Sequence, residues 1–223
     1  MLTRDLAGAV LRVAFHDAGT YNATAKTGGA DGSIQFELAQ AANAGVSVGF
    51  ALVQQIQALV NPLLTGVSAN PVTLADLIQL AGVEAIGATG GPCFTVPLGR
   101  KDAAVADPAG MLPSPNNTAT QLVATFTQNG LNTKWMVALS GAHTIGRART
   151  LGNFVLDPVT PVTFDNAYYI SLVNSDSGPF LSDRSLATTP ATAQLVQLYA
   201  QNNGAWIKDF VDGYIAMSLL GTS

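Results

Sequence analysis

WMVALSGAHTIG, residues 135–146, and LRVAFHDAGT, residues 11–20, hold the only two histidines of this 223-residue chain, His143 and His16. In the second run Arg12 and His16 stand four residues apart on a helical pattern, so they share one face, with Phe15 beside them. Each run also has a plain structural explanation. A histidine on an apolar helix is usually a satisfied core residue, and an arginine one turn earlier is usually a solvated neighbour. ALSGA before His143 reads equally well as a tight helix end with an imidazole packed into it.

Outward from these runs, apolar residues recur at helical spacing. The stretches are Leu6 to Phe15, Val48 to Val60, Leu74 to Ile86, Thr118 to Gln128, Thr133 to Leu139, Asn166 to Leu172, Thr192 to Asn202 and Ala205 to Leu219. Ser68 to Pro71 breaks the chain before the third, and Asn129-Gly130 ends the fourth. Strand-like alternation is scarce, so the expected fold is mainly α. Long Gly-, Pro- and Thr-rich connections, Gly19 to Ser33, Gly90 to Ser114 and Gly152 to Thr163, are natural places for a site.

Composition narrows the function. Ten Lys and Arg against fourteen Asp and Glu leave no basic stripe for phosphates, so nucleic acid is not an expected partner. One cysteine, Cys93, excludes a disulfide scaffold and favours a reducing compartment. Val46 to Leu64 is greasy but interrupted by Gln54, Gln55, Gln57, Asn61 and Pro62, which argues against a membrane span. No secretory signal pattern stands at the N-terminus.

The two histidine runs, taken with GGADGSI (28–34), ELAQAANAG (37–45), LADLIQLAG (74–82), PLGRKD (97–102) and FDNAYY (164–169), resemble the plant-type haem peroxidase superfamily. The nearest likeness is to ascorbate-peroxidase-related, class I-like members, with calcium-site features of classes II and III. The resemblance implies a single two-lobed helical domain over 1–223, with haem between a distal lobe of about 1–115 and a proximal lobe of about 116–223. The family's earlier helix is expected to be missing ahead of Arg12.

It also implies roles. His143 would bind the iron of haem b, and Asp183 in FLSDRSL (180–186) would hold its other ring nitrogen, although a lone Asp there reads ordinarily as a turn cap. Arg12, His16 and Asn43 would cleave hydrogen peroxide, with Glu37 helping to orient the distal histidine and Phe15 and Pro113 lying against the haem. His16 donating Nδ1–H to the Asn43 carbonyl would leave its other nitrogen free to act as a base, and Arg12 would disfavour a charged ring.

Two calcium sites are implied as well: Asp17, Gly29, Asp31 and Ser33 on the distal side, and Thr144, Asp157, Thr160, Thr163 and Asp165 on the proximal side, Thr163 through its backbone oxygen. Asp31-Gly32 and Asp157-Pro158 read equally as turns.

The electron donor is open between ascorbate and phenols. Phe15 stands where usual ascorbate peroxidases have Trp, Leu156 lies in the region of their proximal Trp, and Gly152 falls where their ascorbate-binding Arg would lie. LPSP (112–115) resembles the Pro-x-Pro segment where aromatic donors reach the haem edge of secreted peroxidases. Manganese finds no acids at Ala9 and Arg149, only Asp5 nearby, and Ala138 replaces the surface Trp of lignin peroxidases. The expectation is therefore a peroxidase using hydrogen peroxide and a small reductant, a monomer in a plastid or other intracellular compartment. The alternative is a haem- or calcium-binding scaffold with little turnover.

Overall fold

The computed structural model describes residues 3–64, 72–148, 152–175, 178 and 180–222; the break at Ser68 to Pro71 and Arg149 lie outside them. Among the described residues there are nine α-helices and one two-stranded antiparallel pair, so the chain is mainly α.

The first helix, α1 (Arg4–Ala18), buries Val10, Val13 and Ala14 and packs on α2 (Ser47–Leu64) and α3 (Leu74–Ala88). Thr73 caps α3 by accepting from Asp76 N–H. The next helix, α4 (Ala119–Gln128), opens on a capping box between Thr118 and Gln121. A second group assembles as α5 (Thr133–Ser140) on α9 (Asn203–Ser218), with α6 (Ala167–Ser175) and α7 (Leu181–Thr188) against α8 (Pro190–Gln201). Buried Trp206, Tyr169, Tyr199 and Phe210 fill that second core with rings set edge-on to one another.

The two groups meet where a side chain would prevent it. A Cβ on Gly8 would overlap the Ile145 carbonyl, so only glycine lets α1 cross directly over the 3-10 turn Gly141–Ile145 that carries His143. Gly49 does the same for α2 against the Ala9 carbonyl. Short strands β1 (Arg147–Ala148) and β2 (Phe154–Val155) follow the turn, with Arg147 opposite Val155.

Two sequence expectations change. Asp183 is not in a turn but in the first turn of α7, a segment too poor in apolar residues to announce itself. The second helix runs through Pro62 to Leu64 rather than stopping at Val60. By length and composition it could also cross a membrane, despite its glutamines, and Leu59 and Leu63 are exposed on it.

Candidate active site

Near its C-terminal end α1 turns Arg12, Phe15 and His16 into one cavity of about 270 Å³. His143, on the 3-10 turn beneath, and Asp183 line the same cavity, as does Pro113 from the long irregular connection. The sequence-predicted catalytic and haem-facing residues are thus gathered around one space, apart from Asn43, which stands behind His16.

The distal hydrogen bonds fix a tautomer. Arg12 Nε donates to His16 Nε2 at 3.0 Å, and a guanidinium cannot accept, so Nε2 must be the unprotonated nitrogen. Nδ1 therefore carries the hydrogen and donates to Asn43 Oδ1 at 2.8 Å. Asn43 is buried in the 3-10 turn Ala41–Asn43 and is oriented by its own amide N–H, which donates to the Glu37 carbonyl at 3.0 Å. The part played by Glu37 thus comes from its backbone, while its side chain accepts from Asp107 N–H.

Burial first, then the Arg12 charge, lowers the His16 pKa to about 3, against the opposing Asn43 bond. The ring stays neutral at any ordinary pH. The Phe15 ring sits edge-on to His16 and stacks on Phe126.

Below, the chemistry reverses. His143 Nδ1 lies 2.8 Å from Asp183 Oδ1, leaving Nε2 as the nitrogen for the cavity. Burial resists charging this ring, but the Asp183 charge and hydrogen bond outweigh it, so its pKa lies above the ordinary value. Tyr168 and Phe180 set their rings edge-on to His143, and the Tyr168 hydroxyl donates to Asp183 Oδ1 at 2.9 Å. Neither aromatic was singled out by the sequence reading. FDNAYY was noticed as a motif, but nothing in it says which tyrosine reaches a carboxylate at position 183. Leu156 also lines the cavity.

The oxygen-rich flanks differ. On the proximal side Thr144 Oγ1 donates to Asp157 Oδ2 at 3.0 Å, and Thr160 Oγ1 lies 2.9 Å from Asp165 Oδ1. The Thr163 carbonyl lies 3.5 Å from Thr144 Oγ1, so two carboxylates, two hydroxyls and a carbonyl converge. On the distal side the Asp17 carboxylate already accepts from Gly32 N–H and Ile34 N–H, and Asp31 accepts from Ser33 N–H. Ser33 Oγ is buried without a partner. Burial raises the pKa of Asp17 and of Asp31, with neighbouring acids adding to it, Glu37 for both and Asp107 for Asp31. Gly29 holds a left-handed backbone against Leu220. Among the described residues no three His, Cys, Asp or Glu side chains cluster as a metal site, so hydroxyl and carbonyl oxygens would have to complete either one.

Residues 1–202 match the family described as peroxidase. The chain is 39% identical over 227 residues to L-ascorbate peroxidase 5, peroxisomal, of Arabidopsis thaliana, covering 98% of this chain and 77% of that protein. It is 37% identical over 230 residues to probable L-ascorbate peroxidase 3, peroxisomal, of Oryza sativa subsp. japonica, covering 98% and 75%. It is 34% identical over 220 residues to L-ascorbate peroxidase 1, cytosolic, of Oryza sativa subsp. indica, covering 95% and 84%.

Proposed function

The chain belongs to the peroxidase family, and from that premise we propose that it reduces hydrogen peroxide to water with haem b held between His143 and the Arg12–His16 pair. The observation that carries this reading is that two histidines of opposite electrostatic character line one cavity.

The residues fit the group. His143 offers a ring nitrogen with its partner nitrogen engaged by a carboxylate, the usual arrangement for a ligating histidine, and Phe15, Leu139, Leu156 and Pro113 give largely apolar walls. When bound, haem supplies the iron at which the peroxide O–O bond breaks and from which two one-electron donors are then oxidised. His16 Nε2 takes the proton of the attacking peroxide oxygen, exchanging the Arg12 Nε–H for the substrate O–H, and returns it to the departing oxygen. Asn43 holds Nδ1–H throughout, so the ring keeps the tautomer that can accept at Nε2. Arg12 stabilises the charge on the leaving hydroxide, which departs as water. Asp183 keeps His143 electron-rich.

The distal lobe, about 1–115, carries the base and the proximal lobe, about 116–223, carries the ligand. Both histidines and their partners come from one chain, which supports a monomer as the working unit. A calcium ion suits the proximal oxygens of Thr144, Asp157, Thr160, Thr163 and Asp165. A second suits Asp17, Gly29, Asp31 and Ser33, supported by the mutually repelling acids there and the unpartnered Ser33 hydroxyl. Relatives named peroxisomal and cytosolic support an intracellular compartment, and none of the three above carries a plastid name. We keep α2 as a packing helix rather than a span, because it lies against α1 and α3.

Ascorbate is the reductant, supported by the names of the relatives. Phenols form a second reading, favoured by Pro113, Ser114 and Pro115 along the cavity and by Gly152 in the place the family resemblance gives to an ascorbate-binding arginine. Haem-loaded protein given peroxide should oxidise ascorbate faster than guaiacol-type phenols. Phenol oxidation alone would select the second reading, and no peroxide-dependent oxidation of either would leave only a haem-binding scaffold.

A further inference from the structure

Asp183 receives two hydrogen bonds on a single oxygen. His143 Nδ1 lies 2.8 Å from Oδ1 and the Tyr168 hydroxyl donates to the same Oδ1 at 2.9 Å, while Oδ2 is buried with no partner. Tyr168 and Asp183 are 3% and 1% exposed, so water does not replace either bond. The Tyr168 ring is fixed edge-on to the imidazole, with centroids 5.7 Å apart at 90°, and against Tyr169 at 5.0 Å.

We propose that Tyr168 is a positioning residue that limits how strongly Asp183 draws on the His143 Nδ1 hydrogen, and so sets the electron donation of His143 to bound iron. This rests on the reading of His143 as the iron ligand. Hydrogen bonds to an ionised acceptor are strong, and in a buried site their effect on the shared charge is not damped by solvent. Each donor therefore sees a carboxylate partly neutralised by the other. Without the phenol, Oδ1 would face His143 alone. The carboxylate has no second donor at Oδ2 to compensate, and the imidazole would gain imidazolate character.

The test uses haem-loaded wild type, Tyr168→Phe and, as a neighbour control, Tyr169→Phe, whose lost hydroxyl serves the Val137 and Ala138 carbonyls. Tyr168→Phe should shift the ferric/ferrous midpoint potential downward and raise the iron–histidine stretching frequency of the ferrous form in resonance Raman. Tyr169→Phe should move neither. In an Asp183→Asn background, Tyr168→Phe should add no further shift. Should the phenylalanine variant fold poorly, a fluorinated tyrosine at position 168, a stronger donor of nearly the same shape, should shift both readouts the opposite way. An unchanged or raised potential in Tyr168→Phe, an equal shift in Tyr169→Phe, or no response to the fluorinated ring would overturn the inference while leaving His143 as ligand. Failure of wild type to bind haem through His143 would instead remove the parent reading, and this inference with it.

Discussion

His16 and His143 line the same cavity, yet one is held neutral and the other is biased toward charge. Buried His16 receives an N–H from a guanidinium and gives its own to an amide, a set of partners that leaves Nε2 unprotonated, with a lone pair that can exchange the Arg12 N–H for a substrate proton. The proximal ring gives its N–H to a buried carboxylate, which makes the opposite nitrogen a better electron donor. Identical side chains thus diverge through what stands behind them: Asn43 above, Asp183 below. On the proposed reading, the partner residues, rather than the histidines, divide base from ligand.

Removing the guanidinium attacks the distal half alone. Arg12→Leu should slow the reaction with peroxide by about 10²–10³-fold, the usual cost of losing a donor to developing negative charge, while haem still binds with an unaltered His143 environment. Stopped-flow mixing with peroxide measures the first and the absorption spectrum the second; a normal rate would show that Arg12 does not stabilise the leaving group.

A perturbation confined to the proximal half should do the reverse. Thr144 follows His143 directly, so in an Asp31→Asn background, where only the proximal cation site is left, stripping calcium with a chelator should lower stability by about 3 kcal/mol from a condition with calcium near one hundred times its dissociation constant. It should also alter the His143 environment while the distal tautomer stays fixed. Asp165→Asn should make the protein insensitive to chelator at that site. Chemical denaturation with and without calcium decides, and equal curves would remove the proximal cation.

The most gradual effect, small at each step, is a slope with pH. His16 has a folded pKa of about 3 against an ordinary 6.5, so the folded state binds fewer protons than the unfolded state between these values. Its contribution is complete above about 6.5 and is lost as pH falls toward 3, at about 1.4 kcal/mol per unit. Asp17 and Asp31, with raised values, act in the opposite sense but equally in both proteins compared. Subtracting His16→Ala from wild type in urea unfolding at several pH values therefore isolates the histidine, and parallel curves would mean that the ring is not held neutral.

Much of this division was legible beforehand. Helical period exposed α1, α3, α4, α5, α8 and α9 within a few residues, and the four-residue spacing of Arg12 and His16 anticipated their shared face, though not the direct bond between them. What escaped depends on contacts between distant segments. FLSDRSLAT carries too few apolar residues to read as a helix, so Asp183 looked like a turn residue until α8 supplied its packing partner. Tyr168 and Tyr169 are adjacent and chemically alike, and only the placement of α6 decides that one reaches Asp183 and the other the backbone of α5. Gly8 gave no local signal because its role is to admit another segment's carbonyl.

The central claim is the assignment of one role to each histidine, and titrating haem b into wild type, His16→Ala and His143→Ala, then mixing each with peroxide, tests it most directly. His16→Ala should bind haem as wild type does but react with peroxide about 10³–10⁴-fold more slowly, whereas His143→Ala should lose the wild-type haem spectrum and recover it with added imidazole. A His16→Ala variant that keeps the fast step, or a His143→Ala variant whose haem spectrum is unchanged, would contradict the account.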